Sequence, residues 1–468
     1  MPITALILAA GEGTRMKSNH AKVMHKLLDR PLVWWTAEAA RKAGATHIVL
    51  IVGHKQEEIR TYFNDINYAS KVEKLSFIEQ TEQLGTGHAV RCAKEALGGF
   101  NGPVIVLYGD TPLVRPETIQ SLVHTNMQYH NACTILSMTP QNPAGYGRLI
   151  FAGTHVKAIV EDKDCTPKQR ASNHVCNSGL YCFCGRRLSD YIDQLTTNNS
   201  QHEYYITDMI GIFNHAHEPV MSMHCEDDNE ALGVNTREQL AQANAIMQKR
   251  INTYWQNEGV SMLDPSQVWI GSEAKLAKDV EILPQTFIYG ASTVGEDTTV
   301  GPGSRLINAQ VGAGCTVDET VIINSSIDDN VTCGPRAYIR GAAHVCESAK
   351  VGTHVEIKGS TIGARSKVPH LSYIGDATIG TDTNIGGGSI TCNYDGKHKN
   401  PTTIGNHVFI GSDTMMVAPV TIGDNALIGA SSCITKNVPA GALGLERSKL
   451  LVKEQWATQY WETLQKED

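Results

Sequence analysis

Near the start of the chain, Gly11, Gly13, Arg15 and Lys22 are residues of the types that hold anions, and the first three fall within AAGEGTRM. The apolar run Thr4 to Leu8 leads into them. A strand feeding a glycine-rich turn aims backbone N–H groups at a phosphate, and the two basic side chains add charge. Neither standard phosphate signature is met, since a Walker loop needs GKS or GKT and a dinucleotide fingerprint needs a third glycine where Met16 stands. Alone, the loop reads either as a phosphate cradle or as a plain turn. Asp110 directly follows the apolar run VIVLY. A carboxylate there either holds a divalent cation or, with Thr111-Pro112 behind it, caps a helix.

The elements that must position these residues alternate. Apolar strands at His47 to Val52 and Val104 to Tyr108 are separated by helical patterns at Leu32 to Ala43 and Gly87 to Leu97, which predicts an α/β domain with a largely parallel sheet. Ligands gather beyond the carboxyl ends of such strands, where Gly11, Gly53 and Gly109-Asp110 fall.

From about Cys333 the period changes. Aliphatic or near-aliphatic residues recur six apart at Cys333, Ile339, Val345, Val351 and Ile357, and again at Ile404, Ile410, Met416, Ile422, Ile428 and Ile434. Glycine often follows, and a small residue often stands two before. Six is even, so one face of an extended chain is apolar throughout, and no crossover helix fits so short a unit. The chain must turn after each short strand and coil into a parallel β-helix, with the glycines expected at the corners. Coincidental spacing in a Greek-key sandwich is the weaker alternative. The segment TCNYDGKHKNPTT, from Thr391 to Thr403, has no periodic aliphatics and is expected to project as a loop.

At 468 residues the chain is expected to form two domains and a connector. Net charge −8 and a pI near 6.1 exclude a general nucleic-acid binder. The 12 cysteines include no CxxC pair, so reduced thiols and a cytoplasmic location are expected, and no apolar run is long enough to cross a membrane. The acidic run Glu226-Asp227-Asp228 reads as a solvated loop. Apolar residues at Leu240, Ala243, Ile246, Met247, Ile251 and Tyr254 predict a helical connector, and the closing Lys453 to Asp468 predicts an amphipathic helix packed on the coil or on a neighbouring subunit.

Together these motifs carry a resemblance. LAAGEGTRM with Lys22, EQLGTGHA (82–89), YGDTPL (108–113), GYGR (145–148), NSG (177–179), EYYITD (203–208) and GVN (233–235) resemble, in order, a sugar-nucleotide pyrophosphorylase. HVEIK (354–358), HLSYIGDA (370–377) and TCNYDG (391–396) extend the likeness. The chain resembles the bacterial family of bifunctional N-acetylglucosamine-1-phosphate uridyltransferase / glucosamine-1-phosphate N-acetyltransferase enzymes. The resemblance implies an α/β nucleotidyltransferase (Rossmann-like) domain over 1–232 and a helical linker over 233–258. An all-β left-handed parallel β-helix of hexapeptide repeats would follow over 259–445, and a partly helical tail over 446–468. The substrates implied are UTP, glucosamine 1-phosphate, N-acetylglucosamine 1-phosphate and acetyl-CoA. A homotrimer supplying UDP-N-acetylglucosamine for peptidoglycan and lipid A precursors is also implied, with neither nucleic acid nor membrane as partner.

Carried over residue by residue, the resemblance assigns Mg²⁺ to Asp110 and Asn235. Gly11, Gly13, Arg15 and Lys22 would cradle the triphosphate, with Leu8, Ala9 and Ala10 leading in. Gln80, Gly85 and Thr86 would read the uracil, Gly147, Glu161 and Asn177 the sugar, and Tyr108 and Gly109 would line the same cleft. For acetyl transfer, His370 is the base that takes the amine proton, a task suited to an imidazole, with Glu356 near enough to orient it. Arg340, Lys358, Tyr373 and Asn384 would clamp glucosamine 1-phosphate. Gly387, Asn393, Tyr394, Ser412, Ala430 and Arg447 would form the coenzyme A surface. Ala21 departs from the family, in which proline commonly precedes the lysine. The stretch Glu203 to Asp208 is either a structural helix start or part of the sugar site, and His20, His25, His54, His88 and His407 read as surface or core residues. Two rivals are a single-activity enzyme with a scaffolding coil and a sensor of UDP-sugar. His370 with Arg340, Lys358 and Tyr373 argues against the first, and Asp110 with Lys22 and Arg15 against the second.

Overall fold

The computed structural model describes residues 1–446 and 448–464, apart from the side chain of Ser172. Within them the chain divides into two compact units, Met1–Arg250 and Ile251–Asp468, and the division falls inside the helix Arg237–Asn257.

In the first unit the apolar runs pair as a mostly parallel sheet. Ile3–Ala9 lies between Ala45–Val52 and Pro103–Tyr108, parallel to both, and Lys74–Glu79 extends the edge. Beyond Pro103–Tyr108 the antiparallel strand Cys176–Cys184 intervenes, followed by Cys133–Met138 and Val220–His224. The central strands are apolar along both faces because layers cover both: Ala5, Leu6, Ile7, Val49, Leu50 and Val106 are fully buried. The hairpin Arg148–Ala152 with His155–Val160 stands off this path and pairs with Cys176–Cys184.

The second unit is the left-handed parallel β-helix, its coils contributing to sheets of 11, 10 and 9 strands. Every residue of the six-residue series lies in its core, from Cys333 and Ile339 at 0 % exposure to Ile434 at 5 %. Each such side chain stabilises by roughly 1.5–3 kcal/mol. The small residues two earlier, such as Ala337, Ala343, Ala349 and Ala426, are buried beside them. As expected, the aperiodic insert leaves the coil as a loop between Ile390–Cys392 and Thr402–Ile404.

The glycines have a different reason from the one expected. The left-handed corners are mostly held by other residues, among them Asn308, Asn330, Leu371, Asp376 and Asp413. The glycines that follow the aliphatic series sit where consecutive coils nearly touch. A Cβ at Gly352 would lie 1.9 Å from the Pro369 carbonyl oxygen, and one at Gly411 would lie 2.4 Å from the Ala430 nitrogen.

Three further expectations need correction. Asp227 is not part of a solvated loop: Arg115 and Arg250 each pair with it, at 2.9 and 3.0 Å. In the helix Arg237–Asn257 the apolar periodicity misplaces Tyr254, which is 55 % exposed. Asn252 is buried instead and donates to the carbonyls of Pro265 and Val268. The tail forms the expected helix, Trp456–Leu464, but all of its residues are exposed, so of the two packings expected the one against the coil is not seen.

Because the coil's stability rests on dry aliphatic columns, Ile410→Asp should destabilise the second unit by on the order of 4 kcal/mol or more. Thermal melting followed by circular dichroism tests this, and a wild-type melting profile would contradict it.

Two candidate active sites

The first site forms at the rim where the parallel strands end together. Register aligns Leu8 with Tyr108 and Ala9 with Val52, and the Gly109 N–H donates to the Leu8 carbonyl. Gly13 has φ +66°, and a Cβ there would come within 2.4 Å of Lys22 Cβ, so glycine lets the lysine lie against the loop. From there the Lys22 ammonium pairs with Asp110 Oδ2 and donates to Asn235 Oδ1 at 3.1 Å. Arg15 donates to the same Asn235 oxygen at 2.8 Å. Asn235 is brought in by the Val234 N–H donating to the Asp110 carbonyl, and Gln239 Oε1 fixes its backbone.

Two cavities open at this rim. One, of about 240 Å³, is lined by Leu8, Ala9, Ala10, Gly11, Lys22, Gln80, Gly85, Thr86, Tyr108 and Asp110. The other, of about 620 Å³, is lined by Arg15, Thr86, Tyr108, Asp110, Gly147, Glu161, Asn177 and Asn235. Thr86, Tyr108, Asp110 and Glu203 face both. All the sequence-derived residues of this site are thereby gathered, with Gly13 and Gly109 in its backbone scaffold. Gln80 Nε2 donates to the Gly85 carbonyl and lies 3.2 Å from His88 Nδ1, so His88 stands behind a residue that lines the smaller cavity. Gly85, at φ +105°, has no room for a Cβ, which would lie 2.6 Å from the Tyr204 carbonyl oxygen.

The cavity ends differ in charge. Arg15 and Lys22 mark one. At the other, burial pushes the Glu161 carboxyl above its ordinary range, reinforced by Asp164, Asp208 and Asp162 and opposed by a 3.0 Å hydrogen bond from Thr207 Oγ1. Sequence reasoning passed over Gln83, whose amide donates to the Ala10 carbonyl at 2.8 Å, and over Thr207. Both lie inside the quoted motifs EQLGTGHA and EYYITD. The latter is a wall of the larger cavity as well as a short 3-10 turn.

The second site lies on one corner and one face of the coil. Along that face Tyr338, Glu356 and Tyr373 stack in register, and Arg340 stacks on Lys358, with Ile339, Ile357 and Ile374 pointing inward between them. Arg340 pairs with Glu356 at 2.7 Å, so the carboxylate expected near His370 is engaged by the arginine. Lys358 donates to Asp376 Oδ1 at 2.6 Å. The next outward position in Lys358's column is Gly375, and a Cβ there would lie 2.3 Å from the Tyr373 hydroxyl.

His370 is exposed at the end of Lys367–His370, its carbonyl held by Ser372 Oγ. Asn384 is in register with Lys367, which brings Gly387 next to His370, with 3.3 Å between a Gly387 Cβ and the histidine's. Ser412 and Ala430 take the equivalent places on the following coils. Small residues therefore form a shallow track leading away from His370. The inserted loop flanks this region: Tyr394 is 58 % exposed, with the Lys399 ammonium 4.3 Å above its ring, while Asn393 is only 5 % exposed. Arg447 lies outside the described residues.

Comparisons with known proteins agree with the two-part fold. The MobA-like NTP transferase domain family matches residues 5–203, and the bacterial transferase hexapeptide family matches residues 401–436. A protein described as bifunctional protein GlmU from Heliobacterium modesticaldum is 43 % identical over 453 residues, covering 96 % of this chain and 97 % of its own. Proteins of the same description from Acetivibrio thermocellus and Cyanothece sp. are 42 % and 41 % identical, each over 97 % of this chain, and over 97 % and 98 % of their own length. A solved structure described as UDP-glucose pyrophosphorylase complexed with UDP-glucose covers 55 % of this chain and all of its own, at 18 % identity and a TM-score of 0.43, a likeness too slight to bear on the fold. With a nucleotidyl-transfer fold followed by a hexapeptide coil and relatives matched along almost their whole length, the chain belongs to the GlmU family of bifunctional enzymes that carry out acetyl transfer and uridylyl transfer.

Proposed function

We propose that the two reactions run at the two sites described above: uridylyl transfer at the rim of the first unit, and acetyl transfer at the His370 corner of the second. The observation that carries this reading is the convergence of Asp110 Oδ2 and Asn235 Oδ1 on a single ammonium, that of Lys22. Two hard oxygen donors already enclose a cation there, a donor set that fits Mg²⁺, which takes few protein ligands and completes its shell with phosphate and water. Bound at Asp110 and Asn235, the metal supplies neutralisation of polyphosphate charge.

The sugar 1-phosphate is itself the nucleophile. Its oxygen attacks the α-phosphorus of UTP, the bond to the bridging oxygen breaks, and pyrophosphate leaves. No general base is required, and the obstacle is repulsion between anions. Lys22 and Arg15, both at the loop end, supply charge to the triphosphate as they give up Asp110 and Asn235. Gln80 with Gly85 and Thr86 reads the uracil, and Gly147, Glu161 and Asn177 hold the sugar.

At the second site the amine of glucosamine 1-phosphate must be neutral to attack the thioester carbonyl. His370 takes its proton, the new amide forms, and the coenzyme A thiolate departs and is protonated. Arg340 and Lys358 hold the phosphate with Tyr373 and Asn384, and the small-residue track with Tyr394 receives the acyl donor.

The second unit acts as a homotrimer in this reading. Its support is an outward column of exposed apolar residues, Phe409, Leu427 and Leu443, at 51, 47 and 65 %, together with the aromatic tail helix. The location is the cytoplasm, in keeping with free cysteines and with no helix, among the described residues, long and apolar enough to cross a membrane.

Asp110→Ala should abolish uridylyl transfer and spare acetyl transfer, and His370→Ala should do the reverse. Separate assays of the two steps check this, and loss of both activities in either folded variant contradicts it. Glu161→Gln tests the sugar end. A carboxyl whose folded-state pKa is raised stabilises fully below its unfolded pKa and loses that contribution as pH rises through the folded value. At pH 8 the amide should therefore melt no lower than wild type, while KM for the sugar phosphate rises about tenfold. A lower melting temperature with unchanged KM would contradict this.

A further inference from the structure

Asp376 is assigned no role above, yet it contacts both halves of the second site. Its Oδ1 accepts from the Lys358 ammonium at 2.6 Å, and its Oδ2 accepts from Asn393 Nδ2, also at 2.6 Å. Its main chain is fixed as well: φ is +51°, its N–H donates to the Lys358 carbonyl, and its own carbonyl accepts from the Thr402 N–H at 3.2 Å. Asn393 and Thr402 are the two feet of the inserted loop. One residue thus grips the loop at entry and exit while its carboxylate pairs with the lysine of the phosphate clamp.

Beyond main-chain contacts of its ends with the next coil, where the Ala418 N–H donates to the Cys392 carbonyl and the Val420 N–H to the Pro401 carbonyl, the loop has little else to hold it in place. Asp395 accepts from the Lys397 and His398 N–H groups, and Tyr394 bridges to Lys399, but these contacts lie within the loop itself. Toward the coil, the buried amide of Asn393 has Asp376 and a longer 3.3 Å bond to the Tyr373 hydroxyl. A hydrogen bond to an ionised carboxylate is the stronger kind, so the Asp376 contact dominates.

We propose that Asp376 is a positioning residue for acetyl transfer, through which the sugar-phosphate and acyl-donor subsites share one carboxylate. It orders the loop that presents Tyr394 to the acyl donor and at the same time competes for the Lys358 ammonium. This rests on the assignment of acetyl transfer to the His370 corner. An anionic phosphate draws Lys358 away, and the carboxylate, with one donor fewer, then holds Asn393 more tightly.

The consequence is a pair of effects of opposite sign, which mere loss of structure would not give. Asp376→Asn keeps the shape, frees Lys358 from its ion pair and weakens the bond to Asn393. Calorimetric titration of the full-length variant should show acetyl-CoA binding weakened about tenfold, with glucosamine 1-phosphate bound as tightly as by wild type or more tightly. In kinetics KM for acetyl-CoA should rise more than kcat falls. Weakening of both ligands together, or unchanged acetyl-CoA affinity, overturns the proposal. Hydrogen exchange on the wild-type chain is a second test that does not depend on the variant folding. Saturating glucosamine 1-phosphate should slow exchange in residues 393–402, and unchanged or faster exchange counts against the shared carboxylate. If the wild-type chain binds neither ligand, the assignment of the corner itself fails, an outcome separate from failure of the Asp376 link alone.

Discussion

In-register parallel pairing is the constraint on which both sites depend. Parallel strands end side by side, so residues far apart in sequence arrive at one rim without any contact of their own to bring them there. In the first unit this puts Ala9, Val52 and Tyr108 at a common edge, with the glycine loop and Asp110 just beyond it. In the second, the same pairing repeated from coil to coil carries His370, Gly387, Ser412 and Ala430 up one corner. A slip of one residue would turn every outward side chain inward. The aliphatic columns that prevent such a slip are therefore as necessary to the chemistry as the polar residues.

Three cations of the two sites are parked on carboxylates, Lys22 on Asp110, Arg340 on Glu356 and Lys358 on Asp376, while Arg15 rests on the Asn235 amide oxygen. The pairs Arg340–Glu356 and Lys358–Asp376 are partly open to solvent, and exposed pairs contribute little net stability, about 0–1 kcal/mol. They keep long basic side chains near their working positions, and a phosphate can replace the carboxylate with little net loss. In the proposed reading, the carboxylate freed at Asp110 is the one available to a divalent cation, and the one freed at Asp376 tightens on the loop.

Much of this was legible in the sequence because the signals were periodic or local. The six-residue period marks Cys333 to Ile434 as one dry column, and the run VIVLY followed by Asp110 marks a strand with its carboxyl end at a cleft. The reason for the glycines was not legible: a period shows where small residues recur, not that Gly352 faces a carbonyl of the next coil. Nor could spacing separate Tyr254 from Asn252 in the helix, since the asparagine is buried through two hydrogen bonds to carbonyls that only the folded chain brings near. Thr207, Gln83 and Asp376 escaped for a related reason. Each acts through a partner more than 15 residues away in sequence.

The central claim is that one polypeptide holds two independent places for chemistry, used in order. The most direct measurement supplies the purified chain with glucosamine 1-phosphate, acetyl-CoA, UTP and Mg²⁺, omits one co-substrate at a time, and follows both sugar products. Without UTP, N-acetylglucosamine 1-phosphate should accumulate, and without acetyl-CoA no nucleotide sugar should form. Formation of a nucleotide sugar without acetyl-CoA, or failure of the acetylated sugar phosphate to accumulate without UTP, would contradict the account.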